Sequence, residues 1–96
     1  MTIHVSIGNS DDKLAQDEWA AYCNRVDGIV RAYSTRVFGA WYSLSNSPWQ
    51  NACWAVEVSG DNWNRLRAAL TGAASFYRQD SIAWCEGETE FLEPPS

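Results

Sequence analysis

Hydrophobic and polar residues alternate over positions 2–7, with Ile3, Val5 and Ile7 on one side and Thr2, His4 and Ser6 on the other. A period of two is that of a half-buried β-strand. Gly8-Asn9-Ser10-Asp11-Asp12 ends it with turn-forming residues. The period then lengthens. Trp19, Tyr22, Cys23, Val26, Ile29, Val30 and Tyr33 recur at three- and four-residue intervals, which predicts a helix from Gln16 to Tyr33 with one buried face. Asp17 and Glu18 favour its first turn, where negative charge meets the positive end of the helix dipole. Ala15, at the expected cap, has no side-chain oxygen to accept an orphan amide, so this start is expected to fray. Leu14 is placed to act as a hydrophobic staple. Gly28 costs about 1 kcal/mol against alanine in mid-helix, and close packing against a sheet is the expected reason for it.

Residues 36–44 read as a second strand, but apolar residues fall on both parities and leave its buried face undetermined. A polar loop over 45–49 ends in Trp49. A third strand over 51–58 alternates again, with Ala52, Trp54, Val56 and Val58 on one face and Asn51, Cys53, Ala55 and Glu57 on the other. Asp61 is the expected N-cap of a second helix, whose core stripe is Trp63, Leu66, Leu70, Ala73 and Tyr77. A fourth strand is expected from Ile82 to Phe91, with Ile82 and Trp84 opposite Ala83 and Cys85.

The order β-α-β-β-α-β, with right-handed crossovers around a central hairpin, predicts a ferredoxin-like α+β domain: a four-stranded antiparallel sheet with two helices on one face. A chain of 96 residues holds one such domain, expected over 1–93, with 94–96 as a disordered end. Two helices cover only one sheet face. The other must be polar or must bind something.

Composition sharpens that alternative. There are six tryptophans, more than so small a core readily hides. Trp19, Trp54 and Trp63 have core periodicity. Trp41 and Trp84 lie on strands, and Trp49 sits in a loop with no periodicity to explain it, so these three are the candidate contact residues. The formal charge is −5 and is segregated: seven acids and seven bases cancel over residues 1–78, while Asp80, Glu86, Glu88, Glu90 and Glu93 follow with no base. Glu86, Glu88 and Glu90, spaced by two, would line one face of the last strand as an acidic strip that blocks edge pairing or docks a basic partner. Such a balance argues against direct nucleic-acid binding and against an anionic membrane.

Candidate chemistry is sparse. His4 is the single histidine and falls on the side opposite Ile3 and Val5, so His4 and Asn51 are the candidates for a small-molecule site on the open face. The three cysteines, Cys23, Cys53 and Cys85, form no metal-ligand spacing. They read as free thiols of a cytoplasmic protein, with a Cys53–Cys85 bridge left open. No catalytic triad, phosphate loop or cofactor motif is present, and the expectation is no catalytic residue, no metal and no cofactor. No secretory leader or membrane span is read from the chain.

The segments Ile3-His4-Val5-Ser6-Ile7-Gly8-Asn9-Ser10-Asp11-Asp12-Lys13-Leu14, Gln50-Asn51-Ala52-Cys53-Trp54 and Tyr77-Arg78-Gln79-Asp80-Ser81-Ile82-Ala83-Trp84 resemble those of small uncharacterised proteins from actinobacteria and their phages. The resemblance implies a phage or prophage accessory protein acting in the host cytoplasm and supplies no catalytic residue. Ala15 departs from it where a capping Ser or Thr is expected. Three functions follow as expectations. The first is a non-enzymatic accessory protein that binds a protein partner through the aromatic sheet face and the acidic last strand. The second is a small cofactor-free enzyme or small-molecule binder on a homodimeric sheet. The third is an acidic nucleic-acid mimic directed at a defence nuclease.

Overall fold

The computed structural model describes residues 2–9, 11, 13–87 and 90–95. Its elements run β1 (Thr2–Gly8), α1 (Gln16–Tyr33), β2 (Arg36–Tyr42), β3 (Asn51–Glu57), α2 (Gly60–Phe76) and β4 (Ala83–Gly87). The strands form one sheet in the order β2-β3-β1-β4, and every neighbouring pair is antiparallel. This is the ferredoxin-like α+β fold, with β1 and β3 central and both helices on one face.

The alternation of β1 and β3 explains the core. Ile3, Val5 and Ile7 lie opposite Val56, Trp54 and Ala52, and all six are buried. Tyr22, Val26 and Val30 of α1 and Leu66, Leu70 and Ala73 of α2 close over them in the same cluster. Burying each large side chain contributes about 1.5–3 kcal/mol, so the central strands and the two helical stripes hold the fold.

The ambiguity of β2 has a structural cause. Val37 pairs with Val56, but the next pair is Gly39 with Ala55, so Phe38 is an extra residue in a β-bulge. The bulge resets the alternation: Val37, Ala40 and Tyr42 pair with core-side Val56, Trp54 and Ala52, while Gly39 and Trp41 pair with open-face Ala55 and Cys53. Apolar residues on both parities therefore serve both faces.

Helix α1 starts at Gln16 after Ala15, as the spacing predicts, but it is held rather than frayed. The Glu18 carboxylate accepts the Ala15 N–H at 3.2 Å, so half of a capping box forms without a capping oxygen. Leu14 and Trp19, the staple pair, are both in the core. Ahead of them Asn9 is fully buried. Its Oδ1 accepts the Leu14 N–H and its Nδ2 donates to the Leu14 carbonyl, each at 3.0 Å. The same Nδ2 donates to Gln50 Oε1 at 3.1 Å, and the Asn9 backbone N–H donates to the Gln50 carbonyl at 2.8 Å. Gln50 and Gln16 exchange reciprocal amide bonds of 2.7 and 3.0 Å.

Several expectations are corrected. The cap of α2 is Ser59, and Asp61 lies inside the first turn, where its charge still suits the dipole. No atom lies within 4 Å of a Cβ built on Gly28, so this glycine faces outward and not into the sheet. Strand β4 ends at Gly87, well before Phe91. Cys53 and Cys85 are free thiols, as expected, and the bridge left open between them does not form, because they lie on β3 and β4 with β1 between them. Two strand spacings amount to about 10 Å, beyond disulfide reach. Arg78 follows α2 at φ 58°, a conformation that usually takes glycine, and its guanidinium meets Glu18 at 2.8 Å, tying the end of α2 to the start of α1.

Two buried polar groups predict opposite outcomes. The Tyr22 hydroxyl is buried with no hydrogen-bond partner among the described residues, and burial pushes its pKa up to about 12. Tyr22→Phe is therefore expected to raise stability by about 1 kcal/mol or leave it unchanged, whereas Asn9→Ala, which orphans both Leu14 backbone groups, is expected to cost about 3 kcal/mol. Urea unfolding of both variants at neutral pH checks the contrast.

Candidate interaction surface

Among the described residues eight large hydrophobic side chains are exposed, and five of them (Phe38, Trp41, Tyr42, Leu44 and Trp49) fall on β2 and the loop that follows it. β2 is an edge strand, so these side chains crowd one margin of the sheet. Trp41 faces the open side opposite Cys53. Its indole lies over Gly39: a Cβ built there would fall 2.8 and 2.9 Å from two ring atoms. Glycine at 39 is thus what lets the ring lie on the sheet. Phe38, in the bulge, carries the Arg36 guanidinium 5.9 Å from its ring centroid.

Trp49, 69% exposed, is held by its neighbours and not by its ring. Asn51 Nδ2 donates to the Trp49 carbonyl at 2.9 Å, the Trp49 N–H donates to Ser47 Oγ at 3.2 Å, and the adjoining Gln50 is locked to Asn9 and Gln16. The loop presents an indole on a fixed backbone.

Tyr42 sets its ring edge-on to Trp54 at 5.7 Å. Trp54 Nε1 donates to Asp27 Oδ1 at 3.0 Å, and Arg31 Nε donates to Asp27 Oδ2 at 3.0 Å, so α1 is pinned over β3 beside the exposed edge. Burial raises the Asp27 pKa, but the Arg31 and Trp54 hydrogen bonds lower it by more, and the net is a carboxyl below its usual range. The Tyr42 hydroxyl moves up, through desolvation first and the Asp27 charge second. Cys23, buried nearby on α1, is pushed up to about 11 by burial, which leaves a thiol unsuited to nucleophilic chemistry.

The other sequence candidates separate. Trp84 pairs with Val5, so it faces the helices and not the open side; its half-buried ring meets Trp63 at 5.4 Å. Glu86 pairs with Ile3 and is on that same side, accepting from Trp84 Nε1 at 3.1 Å and lying 4.0 Å from Arg67. Glu88 lies outside the described residues. Glu90 is exposed and lies outside β4, so among the described residues Glu86 and Glu90 do not share a strand face. His4 is on the open face, opposite Ala55 and Cys85, and Asn51 pairs with Gly8 at the other end of β1. Four residues of strand put these two about 13 Å apart, so they do not converge on one small molecule. Neither lines the open groove of about 920 Å³ between the helices or the niche of about 110 Å³ beside Trp84. Among the described residues no group of three His, Cys, Asp or Glu side chains is arranged to hold a metal ion.

Phe38, Tyr42 and Leu44 belong to the surface but were not among the sequence candidates. The doubled apolar parity of 36–44 was their signal, and the bulge was needed to read it. No protein-family model matches the chain, and no curated protein matches it. Among the described residues no helix is long and apolar enough to cross a membrane.

Asp27 makes the edge pH-sensitive. Its folded pKa is lowered, so its contribution to stability is present above the unfolded carboxylate pKa of about 3.9 and is lost as pH falls through the folded value. In urea titrations across the acid range, Asp27→Asn should be less stable than wild type at neutral pH, and the gap should close in acid.

Proposed function

We propose that the domain is a non-enzymatic protein-binding module that takes its partner on the β2 edge and the β2–β3 loop. The observation that carries this reading is the gathering of Phe38, Trp41, Tyr42, Leu44 and Trp49 on one margin. Aromatic side chains are enriched at the centres of protein interfaces, where a few such anchors carry most of the binding energy. The backbone edge of β2 adds unpaired groups that a partner strand can meet. Arg36 on Phe38 supplies a positive rim and favours a partner with an acidic margin. The resemblance to small proteins of actinobacteria and their phages supports an accessory role in a host cytoplasm.

The acidic last strand has less part in this reading than its spacing implied, because Glu86 is turned to Arg67 and Trp84. The nucleic-acid mimic loses support for the same reason, since it needs acids spread over one surface. The small-molecule enzyme loses support from the separation of His4 and Asn51, where a site needs convergent polar groups in a cavity.

The test is affinity capture of one partner from an actinobacterial lysate, repeated with Trp41→Ala/Trp49→Ala. Both rings are exposed, so circular dichroism should report an unchanged fold. Loss of about 2 kcal/mol per anchor would weaken binding of the isolated partner by 100-fold or more. Equal affinity of the double variant, or competition by a small metabolite at the same face, would overturn the assignment.

A further inference from the structure

The three exposed large hydrophobics that do not belong to the β2 margin are Phe76, Phe91 and Leu92. Phe76 stands on the rim of the groove between α1 and α2, and Phe91 and Leu92 lie in the segment after β4. Small residues, Gly28 and Ala32 of α1 and Ala69 and Gly72 of α2, are among those lining the groove, so the two helices leave an open channel between them. Phe76 is 77% exposed, yet its ring is braced: it meets Tyr77 at 5.0 Å, and Tyr77 packs on buried Tyr22 at 4.9 Å. The rim is thus an aromatic shelf fixed from below. Arg25 is the one charged side chain lining the groove. Lys13, Arg31, Arg67 and Arg78 have acidic partners, but among the described residues Arg25 has no ion pair or side-chain hydrogen bond.

The segment Glu90-Phe91-Leu92-Glu93 has the complementary character. Phe91 and Leu92 are 85% and 84% exposed, and acids flank them on both sides. From Arg25 to Tyr33 the groove follows α1 for about 12 Å at the helical rise, and four extended residues cover a similar length.

The geometry points to a second copy of this chain as the occupant: Phe91 and Leu92 of one copy seat in the α1–α2 groove of another, against Phe76, with Glu90 or Glu93 on Arg25. The chain's own groove is out of reach. The segment leaves from β4, which α2 covers through the Trp63–Trp84 and Arg67–Glu86 contacts. Rounding half of a helix about 10 Å across takes some 16 Å, and the four residues from Gly87 to Phe91 span at most about 14 Å. They would also have to run along α2 to its C-terminal half. Two such contacts related by a two-fold axis close a dimer. The contact lies on the helix side, so it is independent of the proposed partner surface on β2.

Sedimentation of the full chain over a concentration series tests this. Wild type should dimerise with a dissociation constant on the order of 100 µM. Phe91→Ser/Leu92→Ser, which alters only exposed side chains, should weaken it by at least tenfold. Gly72→Leu should weaken it as strongly while raising the melting temperature, because no atom lies within 4 Å of the added Cβ and leucine favours the helix over glycine. Arg25→Glu should weaken association several-fold, and adding Glu90→Arg/Glu93→Arg should restore it. Trp41→Ala/Trp49→Ala should leave it unchanged. A monomer up to about 1 mM, or a dimer indifferent to the Phe91/Leu92 change, would overturn the proposal; a dimer that loses affinity with that change but ignores Gly72→Leu and Arg25→Glu would overturn the groove as the seat.

Discussion

The contact on which the rest of this structure depends is a pair of buried side-chain amides. Asn9 and Gln50 stand at the end of β1 and the start of β3, and each satisfies backbone or amide groups of the other's loop. Through Leu14 and Gln16 they also hold the entry to α1. An amide in an apolar interior costs several kcal/mol unless its donors and acceptors are met, so the network is stabilising only as a complete set. Completeness has a geometric consequence. The β1–α1 turn, the first turn of α1 and the β2–β3 loop are placed relative to one another by six hydrogen bonds among the side chains of Asn9, Gln16 and Gln50 and the backbone of Asn9, Leu14 and Gln50. Trp49, adjoining Gln50, inherits that placement.

This network also marks where sequence reading stops. Alternation and helical spacing locate the six elements, and the ends of α1 match the periodicity at both Gln16 and Tyr33. The order of elements and the handedness of crossovers are then enough for the topology. Asn9, however, is a common turn former, and nothing in its neighbourhood distinguishes an exposed turn asparagine from a buried one. Gln50 follows a proline and a tryptophan in a polar loop. Their relationship spans 41 positions, so no local pattern contains it. The fraying expected at Ala15 failed for a different and local reason: Glu18, three residues on, accepts the Ala15 N–H and supplies half of a capping box.

The candidate surface was legible in composition but not in position. A surplus of tryptophan indicated that some rings would be exposed, and Trp41 and Trp49 are. Trp84 is not on the open face, because its parity on β4 follows from pairing with Val5, and that register is set by β1 rather than by β4 itself. The bulge at Phe38 is a comparable case. A single extra residue moves Gly39 and Trp41 to the open side, and only the glycine makes room for the indole. Phe38, Tyr42 and Leu44 could not be sorted before that shift was known.

Charge follows a similar logic. The acids of the body serve the fold: Glu18 caps α1 and meets Arg78, Asp27 joins Trp54 to Arg31, and Glu86 sits between Arg67 and Trp84. These pairs use three of the seven bases. Glu90 and Glu93, in contrast, stand on a segment that the fold does not use, beside two apolar side chains that water does not favour. An exposed Phe-Leu pair is unfavourable in an isolated molecule, and flanking acids keep it soluble without hiding it. Among the described residues Arg25, lining the groove between the helices, has no ion-pair partner. The two features have opposite charge and apolar surroundings, and the proposed contact between copies would match one to the other.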